Sequence, residues 1–395
     1  MHPFRTTPSR FSANLADEPA LVMKITFVLP RLMPRPTGGG KIVYQYANAL
    51  AEAGHEIEVL HPRTLFLWRF RHTPAARLRS LAADCAKLMG VGEAMAGQGH
   101  RACVPWMKMH PRVKISVVPA LYPRYVPHAD VIVATLWRTA EYVERLPARS
   151  GEKFYFIQHH ETWAGPEARV NRTLQSRMKK IVISGWLKDL VHELSGDTAW
   201  QVPNPVDHAE FFLTSAPAQR ARTVSMLYSP HAWKGAAEGV AALELAKASF
   251  PDLQAVLFGT AARPDFLPAW IAYVQDPARQ VLRETVYNAS SIYLCPSWSE
   301  GWGLPALEAM ACGCAVVTAD NGGTRDFVID GQNGIVVPPK SAQPLADALV
   351  ALLGDDARRT AYADRSVRLA QQFTLQASVE RLVDALSQRS PAVAS

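Results

Sequence analysis

Cysteine is scarce here: the 395 residues hold five, Cys85, Cys103, Cys295, Cys312 and Cys314. So few, and an odd number, exclude a disulfide framework and suit reduced thiols in a cytosol. Cys312 and Cys314 are separated by one glycine, which is not the spacing of a metal site. No acidic pair of the D-x-D type occurs, so the chain lacks the paired oxygen ligands that hold a divalent cation against a phosphate. No run approaches 18 apolar residues, which excludes an ordinary membrane-spanning helix. Residues 1–22 are polar and have no signal-peptide core, so they read as a flexible leader. No repeat of fixed period is present. With 48% hydrophobic and 19% charged residues, what remains is a folded cytoplasmic protein, too long for one core and expected to form two domains.

Acidic residues are also scarce in one stretch. Between His61 and Val126 there are eleven basic residues and two acids, Asp84 and Glu93, a net of +9 in a chain whose total is +7. The block is interleaved with Leu65, Phe66, Leu67, Trp68 and Phe70. It fits either a solvated basic face or peripheral contact with an anionic inner membrane surface or acceptor. It calls for no nucleic-acid partner.

Hydrophobic patterning predicts alternating strands and helices. Lys24–Pro30 is an apolar run followed by a loop that ends at Gly38-Gly39-Gly40. A helix from Lys41 carries Ile42, Val43, Ala47, Leu50 and Ala51 at helical spacing and stops at Gly54, and Glu56–Leu60 is the next strand. This is one βαβ unit. Strands are expected again at 115–119, 130–134, 153–158 and 181–184. Pro203-Asn204-Pro205 then marks a hinge. The pattern restarts with strands at 224–228 and 253–258 around a helix over 234–248, then strands at 291–294, 314–318 and 334–337. Ser341 opens a helix with Leu345, Leu349, Leu352 and Leu353 on one face. The expected fold is α/β, two Rossmann-like domains with parallel sheets facing a central cleft. The expected divisions are 1–22, 23–203, 204–375 and a C-terminal helix, 376–395, returning to the first domain with a frayed end.

The densest signal is the stretch from Ser297 to Met310, SWSEGWGLPALEAM. Gly301 and Gly303 leave room for a ligand near the backbone. Pro305 suits the first helical position, and the helix N-terminus suits an anion such as a diphosphate. Glu300 in the loop and Glu308 in the helix can each accept from ring hydroxyls.

EGWGLPALEA followed by MACGCAVVTADNGG resembles the E-x7-E signature of family-four retaining glycosyltransferases of GT-B architecture. The GGG loop with GHEIEVL, VISGWL with VPNPVD, WKG and GGTRDFVIDGQNGIVVPP match in order, over roughly residues 23–380. The resemblance implies a nucleotide-sugar donor, a glycan or lipid-linked acceptor, transfer with retention in cell-surface polysaccharide or glycoconjugate synthesis, and no metal or other cofactor. By the same resemblance Glu300 contacts the transferred sugar, Glu308 binds the donor ribose and Lys234 neutralises the diphosphate. The backbone at Gly39 and Gly40 approaches the phosphate, and Gly301, Trp302, Gly303 and Leu304 also belong to the donor site. His160 joins Glu300 and Lys234 as a catalytic candidate, while His159, Glu161 and Trp163 are acceptor-side candidates at the end of a strand. The family's Arg before the Lys is missing, with Tyr228 and Ser229 at those positions. His231 or Arg325 is the expected substitute. Alternatives are another GT-B enzyme, an epimerase or a phosphorylase, and a nucleotide-sugar-binding protein of weak activity.

Overall fold

The structure, a computed structural model, describes residues 22–65 and 103–388, with residues 75, 78, 81, 82, 84 and 85 between them. Residues 1–21 of the leader, Phe66–Phe70 and most of the basic block (Arg69, Arg71, Arg77, Arg79, Lys87 and Arg101) lie outside the described residues, as does the chain beyond 388.

The first half is built on β1 (Lys24–Val28), β2 (Glu56–Pro62), β3 (Val113–Val118), β4 (Val131–Ala134), β5 (Glu152–Ile157), β6 (Lys179–Val182) and β7 (Ala199–Gln201). They form one sheet in the order β3-β2-β1-β4-β5-β6-β7, every pair parallel. Ile25 pairs with both Ile57 and Val131, so β1 is central. Its Phe27 and Val28, like all of β4, are buried, as strands covered by helices on both faces require. The second half repeats the plan with β8 (Thr223–Leu227), β9 (Gln254–Gly259), β10 (Ile271–Gln275), β11 (Ile292–Cys295), β12 (Ala315–Ala319) and β13 (Gly334–Val337). Their order is β10-β9-β8-β11-β12-β13, again all parallel. In each sheet the strand order reverses beside the first strand, which is the Rossmann switch point.

Two strands, β7 and β10, are absent from the sequence reading. Both are edge strands, and β7 has three residues, too few for a period to register. The glycine triplet also differs from the expectation of a loop. Helix α1 spans Gly38–Glu52, so the three glycines are its first turn. Thr37 caps it: its side chain accepts from the Gly40 N–H at 3.3 Å and its carbonyl from the Lys41 N–H at 2.9 Å, an arrangement that outweighs the poor helix propensity of glycine.

The chain returns at its C-terminus. The last helix, Leu375–Ser387, lies against α1, and Ser378 Oγ donates to the Pro203 carbonyl at 2.8 Å. Lys179 Nζ donates to the Gln388 carbonyl.

Candidate functional site

The carboxyl ends of the two sheets face each other across a cleft of about 620 Å³. After β1 it is lined by Leu29 and Pro30, after β4 by Thr135 and Leu136, after β5 by Gln158 and His159, and after β8 by Ser229 and His231. A depression of about 670 Å³ lies at the amino ends of β1–β3. Its Lys24–Glu56 and Lys114–Glu58 charges pair with each other, and open parallel sheets bind at the opposite end.

Two helix N-termini converge in the cleft. One is α1, whose Thr37 to Gly40 form part of the wall. The other belongs to the helix Leu304–Ala311, N-capped by Gly303 with Pro305 as its second residue rather than the first. A Cβ on Gly38 would lie 3.6 Å from Leu304 Cδ1, so the two ends nearly touch. Each leaves unpaired backbone N–H groups and a positive dipole end aimed at the same space. Gly303 has φ +96°, a conformation glycine adopts without strain. Gly301 has a reason the sequence did not suggest. A Cβ there would lie 1.9 Å from the Gln158 carbonyl oxygen, so the glycine lets the backbones of the two halves meet, in addition to lining the cleft.

Lys234 does not start a helix. It ends a 3-10 turn, Ala232–Lys234, and the following Gly235 turns the chain into the helix Ala236–Ser249. This aims Nζ at Glu300, whose two carboxylate oxygens accept from it at 2.7 and 2.8 Å. Both side chains are largely buried, 23% and 12% exposed, so the pair is screened little by solvent.

Glu308 lies at the inner end. The Lys41 ammonium is 3.7 Å from its Oε1, and Tyr287 Oη donates to its Oε2 at 3.4 Å. Burial raises the Glu308 pKa above the ordinary carboxylate value, while Lys41 and Arg279 pull it down. Burial lowers that of Lys41, and Glu308 opposes the shift.

Several candidates stand elsewhere than expected. His160 does not line the cleft; its Nε2 lies 2.7 Å from Asn171 Oδ1. His159 takes the cleft position instead, with burial holding its imidazole below the ordinary value and Glu300 acting against that. The alternation of residues leaving β5 decides which histidine points inward. Glu161 is 5% exposed, and its Oε2 accepts from the Trp137 N–H at 2.8 Å. It lines the cleft, with one carboxylate oxygen engaged by the N-terminus of the helix Trp137–Val143. Trp302, expected to meet the donor, is 2% exposed with its ring 5.2 Å from Phe327 and 5.5 Å from Phe373. That ring is core. Arg325 is forked onto Asp320 at 2.6 and 2.8 Å and does not line the cleft. Of the two proposed substitutes for the missing Arg, only His231 lines it. Trp163 stands at the wall, 52% exposed.

The sequence reading missed Lys41, Gln158, Asn204 and Trp233. Gln158 Oε1 and Asn204 Oδ1 are buried, line the cleft and have no hydrogen-bond partner in the protein, an open acceptor that a ligand's hydroxyl or amide could satisfy. The proline pair around Asn204 is the local sequence signal at this position, and by itself it indicates only a hinge. Among the described residues, no group of three or more His, Cys, Asp and Glu could hold a metal ion, and no helix is long and apolar enough to cross a membrane.

Residues 231–368, which contain the Lys234 turn and both glutamates, match the family described as Glycosyl transferases group 1. A D-inositol 3-phosphate glycosyltransferase of Corynebacterium aurimucosum is 43% identical over 110 residues, 27% of this chain. The match spans 26% of that relative's length. A phosphatidyl-myo-inositol mannosyltransferase of Mycolicibacterium smegmatis is 25% identical over 92% of this chain and 94% of its own. Among solved structures, Anabaena HepE in complex with UDP-glucose superposes with a TM-score of 0.68 at 16% identity, over 93% of this chain and all of that one.

Proposed function

We propose that this chain, a GT-B glycosyltransferase with a group 1 domain, moves a sugar from a nucleotide-sugar to a glycan or lipid-linked acceptor with retention of anomeric configuration. The observation that carries this reading is the buried Lys234–Glu300 pair set beside two helix N-termini. A nucleotide-sugar needs a place where two phosphate charges are met and where one more negative charge develops as the sugar leaves. The helix ends and Lys234 supply fixed positive potential there, already oriented before the reaction begins. Glu300, held against Lys234, is placed beside the sugar that must depart, and Glu308 is the acceptor for ribose hydroxyls. The leaving phosphate would take the proton of the incoming hydroxyl on the same face, so no separate base is required.

The group 1 match lies in the donor half, so the acceptors named for the relatives are not carried over with equal weight. The names of both relatives point to an inositol-containing acceptor, inositol 3-phosphate in one and a phosphatidyl-inositol in the other, which supports a ring polyol as the acceptor class. A role in cell-surface polysaccharide or glycoconjugate synthesis and residence at the inner membrane face rest on the resemblance and on the basic block. Sedimentation with anionic and neutral liposomes, with Arg69, Arg71, Arg77 and Arg79 changed to Glu, tests the membrane contact.

The activity itself is tested by release of nucleoside diphosphate from UDP-, GDP- and dTDP-sugars offered with mixed ring acceptors. Lys234→Ala should lower kcat by about 10²-fold or more, as loss of one preorganised donor does elsewhere. No release from any donor, or an unaffected Lys234→Ala rate, would overturn the reading.

A further inference from the structure

The mouth of the cleft is made of stacked rings. Trp163 lies on the turn Thr162–Ala164 after β5, in the first half. Its ring centroid is 5.4 Å from that of Trp233, with the planes 21° apart. Trp233 belongs to the second half and immediately precedes Lys234. His231 also stacks on Trp233, at 4.3 Å and 15°. His159 meets Trp163 edge-on at 6.4 Å and 78°. All four side chains line the cleft. The stack crosses from one half of the molecule to the other, and its crossing point is the Trp163–Trp233 contact. It is no part of the core, because Trp163 keeps 52% of its surface exposed.

We infer that Trp163 and Trp233 form a two-sided subsite for a saturated polyhydroxylated ring of the acceptor, a pyranose or a cyclitol, and that the two indoles close on each other when no such ring is present. The inference rests on the glycosyltransferase reading and adds the site and chemistry of acceptor recognition. A six-membered polyol ring has C–H bonds on its faces and hydroxyls around its rim. Two indole faces can bury the C–H surfaces while the rim hydroxyls stay free. One rim hydroxyl then faces Lys234 and Glu300, since Lys234 is the residue after Trp233. Carbon contacts on both faces of an inserted ring require the indoles to stand about 7–8 Å apart, so the halves must part by roughly 2–3 Å at this point. The empty stack is thus a clasp between the halves, and the ligand that replaces it also spans them. An alkyl chain could also enter between two indoles, but it has no hydroxyl to present to the reacting centre.

Stacked indoles couple their transitions and give a bisignate band in the far-ultraviolet circular dichroism spectrum. Wild type, saturated with the nucleoside diphosphate it binds best, is titrated with methyl α-mannopyranoside, methyl β-glucopyranoside and myo-inositol, with dodecyl phosphate as the lipid-chain arm. The expected result is loss of the band with at least one ring probe, which also serves as acceptor; which of the three acts separates pyranose from cyclitol. Trp163→Ala and Trp233→Ala should both lack the band. Trp163→Ala should raise the acceptor KM about tenfold without a matching rise in the donor KM, whereas Trp163→Phe should restore most of the loss. A band insensitive to every ring probe, a band lost only to dodecyl phosphate, or an acceptor KM unmoved in Trp163→Ala and Trp233→Ala would overturn the inference. Failure of wild type to release nucleoside diphosphate with any donor would instead overturn the glycosyltransferase reading beneath it.

Discussion

The ammonium of Lys41, in the first turn of α1, lies 3.7 Å from Oε1 of Glu308 on the helix facing it from the other half of the molecule. Each side chain is 12% exposed, so the pair bridges the halves at the inner end of the cleft in a weakly screened environment. Burial disfavours both charges, and each favours the other.

On the proposed role of Glu308 as the acceptor for ribose hydroxyls, this pair should set the pH dependence of donor binding. The ionised carboxylate is the stronger acceptor, so its raised pKa should move the loss of affinity on acidification to a higher pH than an ordinary carboxylate would give. Lys41→Met removes the main charge opposing that rise, so the acid limb should shift further upward and affinity at a fixed mildly acidic pH should fall. Glu308→Gln should abolish the limb and weaken binding by about tenfold or more, the worth of a hydrogen bond to a charged group. Calorimetric titration with UDP and GDP across pH measures both. Superimposable profiles for wild type and Lys41→Met would refute the coupling.

Glu161 makes stability fall as pH rises from the ordinary carboxylate range to about 8. Burial pushes its carboxyl from the ordinary 4.5 up to about 8, against the pull of the Trp137 N–H and of Arg138. Because the folded pKa lies above the unfolded one, the stability gained from the protonated group is fully present below the unfolded value. It is lost as pH rises through about 8. Relative to Glu161→Gln, wild type should therefore lose about 1.4 kcal/mol per pH unit between those two values. Urea unfolding of both proteins at several pH values checks this, and a constant difference between them would rule it out.

Arg220 holds the far end of the donor helix. It is 8% exposed, and its guanidinium donates to the carbonyls of Ser290 at 2.8 Å, Cys312 at 2.6 Å, Gly313 at 3.1 Å and Ser215 at 2.8 Å. Cys312 and Gly313 follow the C-terminus of Leu304–Ala311, so a cation sits at the negative end of the helix whose positive end opens on the cleft. Arg220→Met leaves these buried carbonyls unpaired and should cost about 3 kcal/mol or more, read as a shifted denaturation midpoint. A midpoint within the error of wild type would show that water replaces the guanidinium.

Chelation gives a direct test of how the diphosphate is held. On the proposed reading, in which Lys234 and two helix ends meet its charge, transfer should proceed unchanged in excess EDTA. Loss of activity on chelation, restored by Mg²⁺ or Mn²⁺, would mean that a cation carries part of that load.

Much of this was legible in the sequence because it depends on local order. Apolar runs of strand length alternating with helical spacing specify a parallel α/β plan, since strands buried on both faces must be apolar throughout. The local arrangement of Ser297–Met310 was legible for the same reason: two glycines, a proline and two glutamates at fixed offsets around one helix start keep their relations whatever surrounds them. Tertiary structure decided what depends on two distant segments meeting. His159 rather than His160 turns inward because of how β5 ends, and Glu161 is spent on a helix 24 residues upstream in the chain. The Trp302 ring goes to the core because Phe327 and Phe373 arrive beside it. The sequence marks Lys41 only as the start of a helix, and only the docking of the second half onto the first puts a buried carboxylate in front of it. Trp163 and Trp233 stand 70 positions apart in the sequence, and nothing in either neighbourhood indicates that their faces meet. Local pattern determined the elements and the donor loop, while the packing of two sheets end to end, which no periodicity encodes, determined which side chains share the cleft.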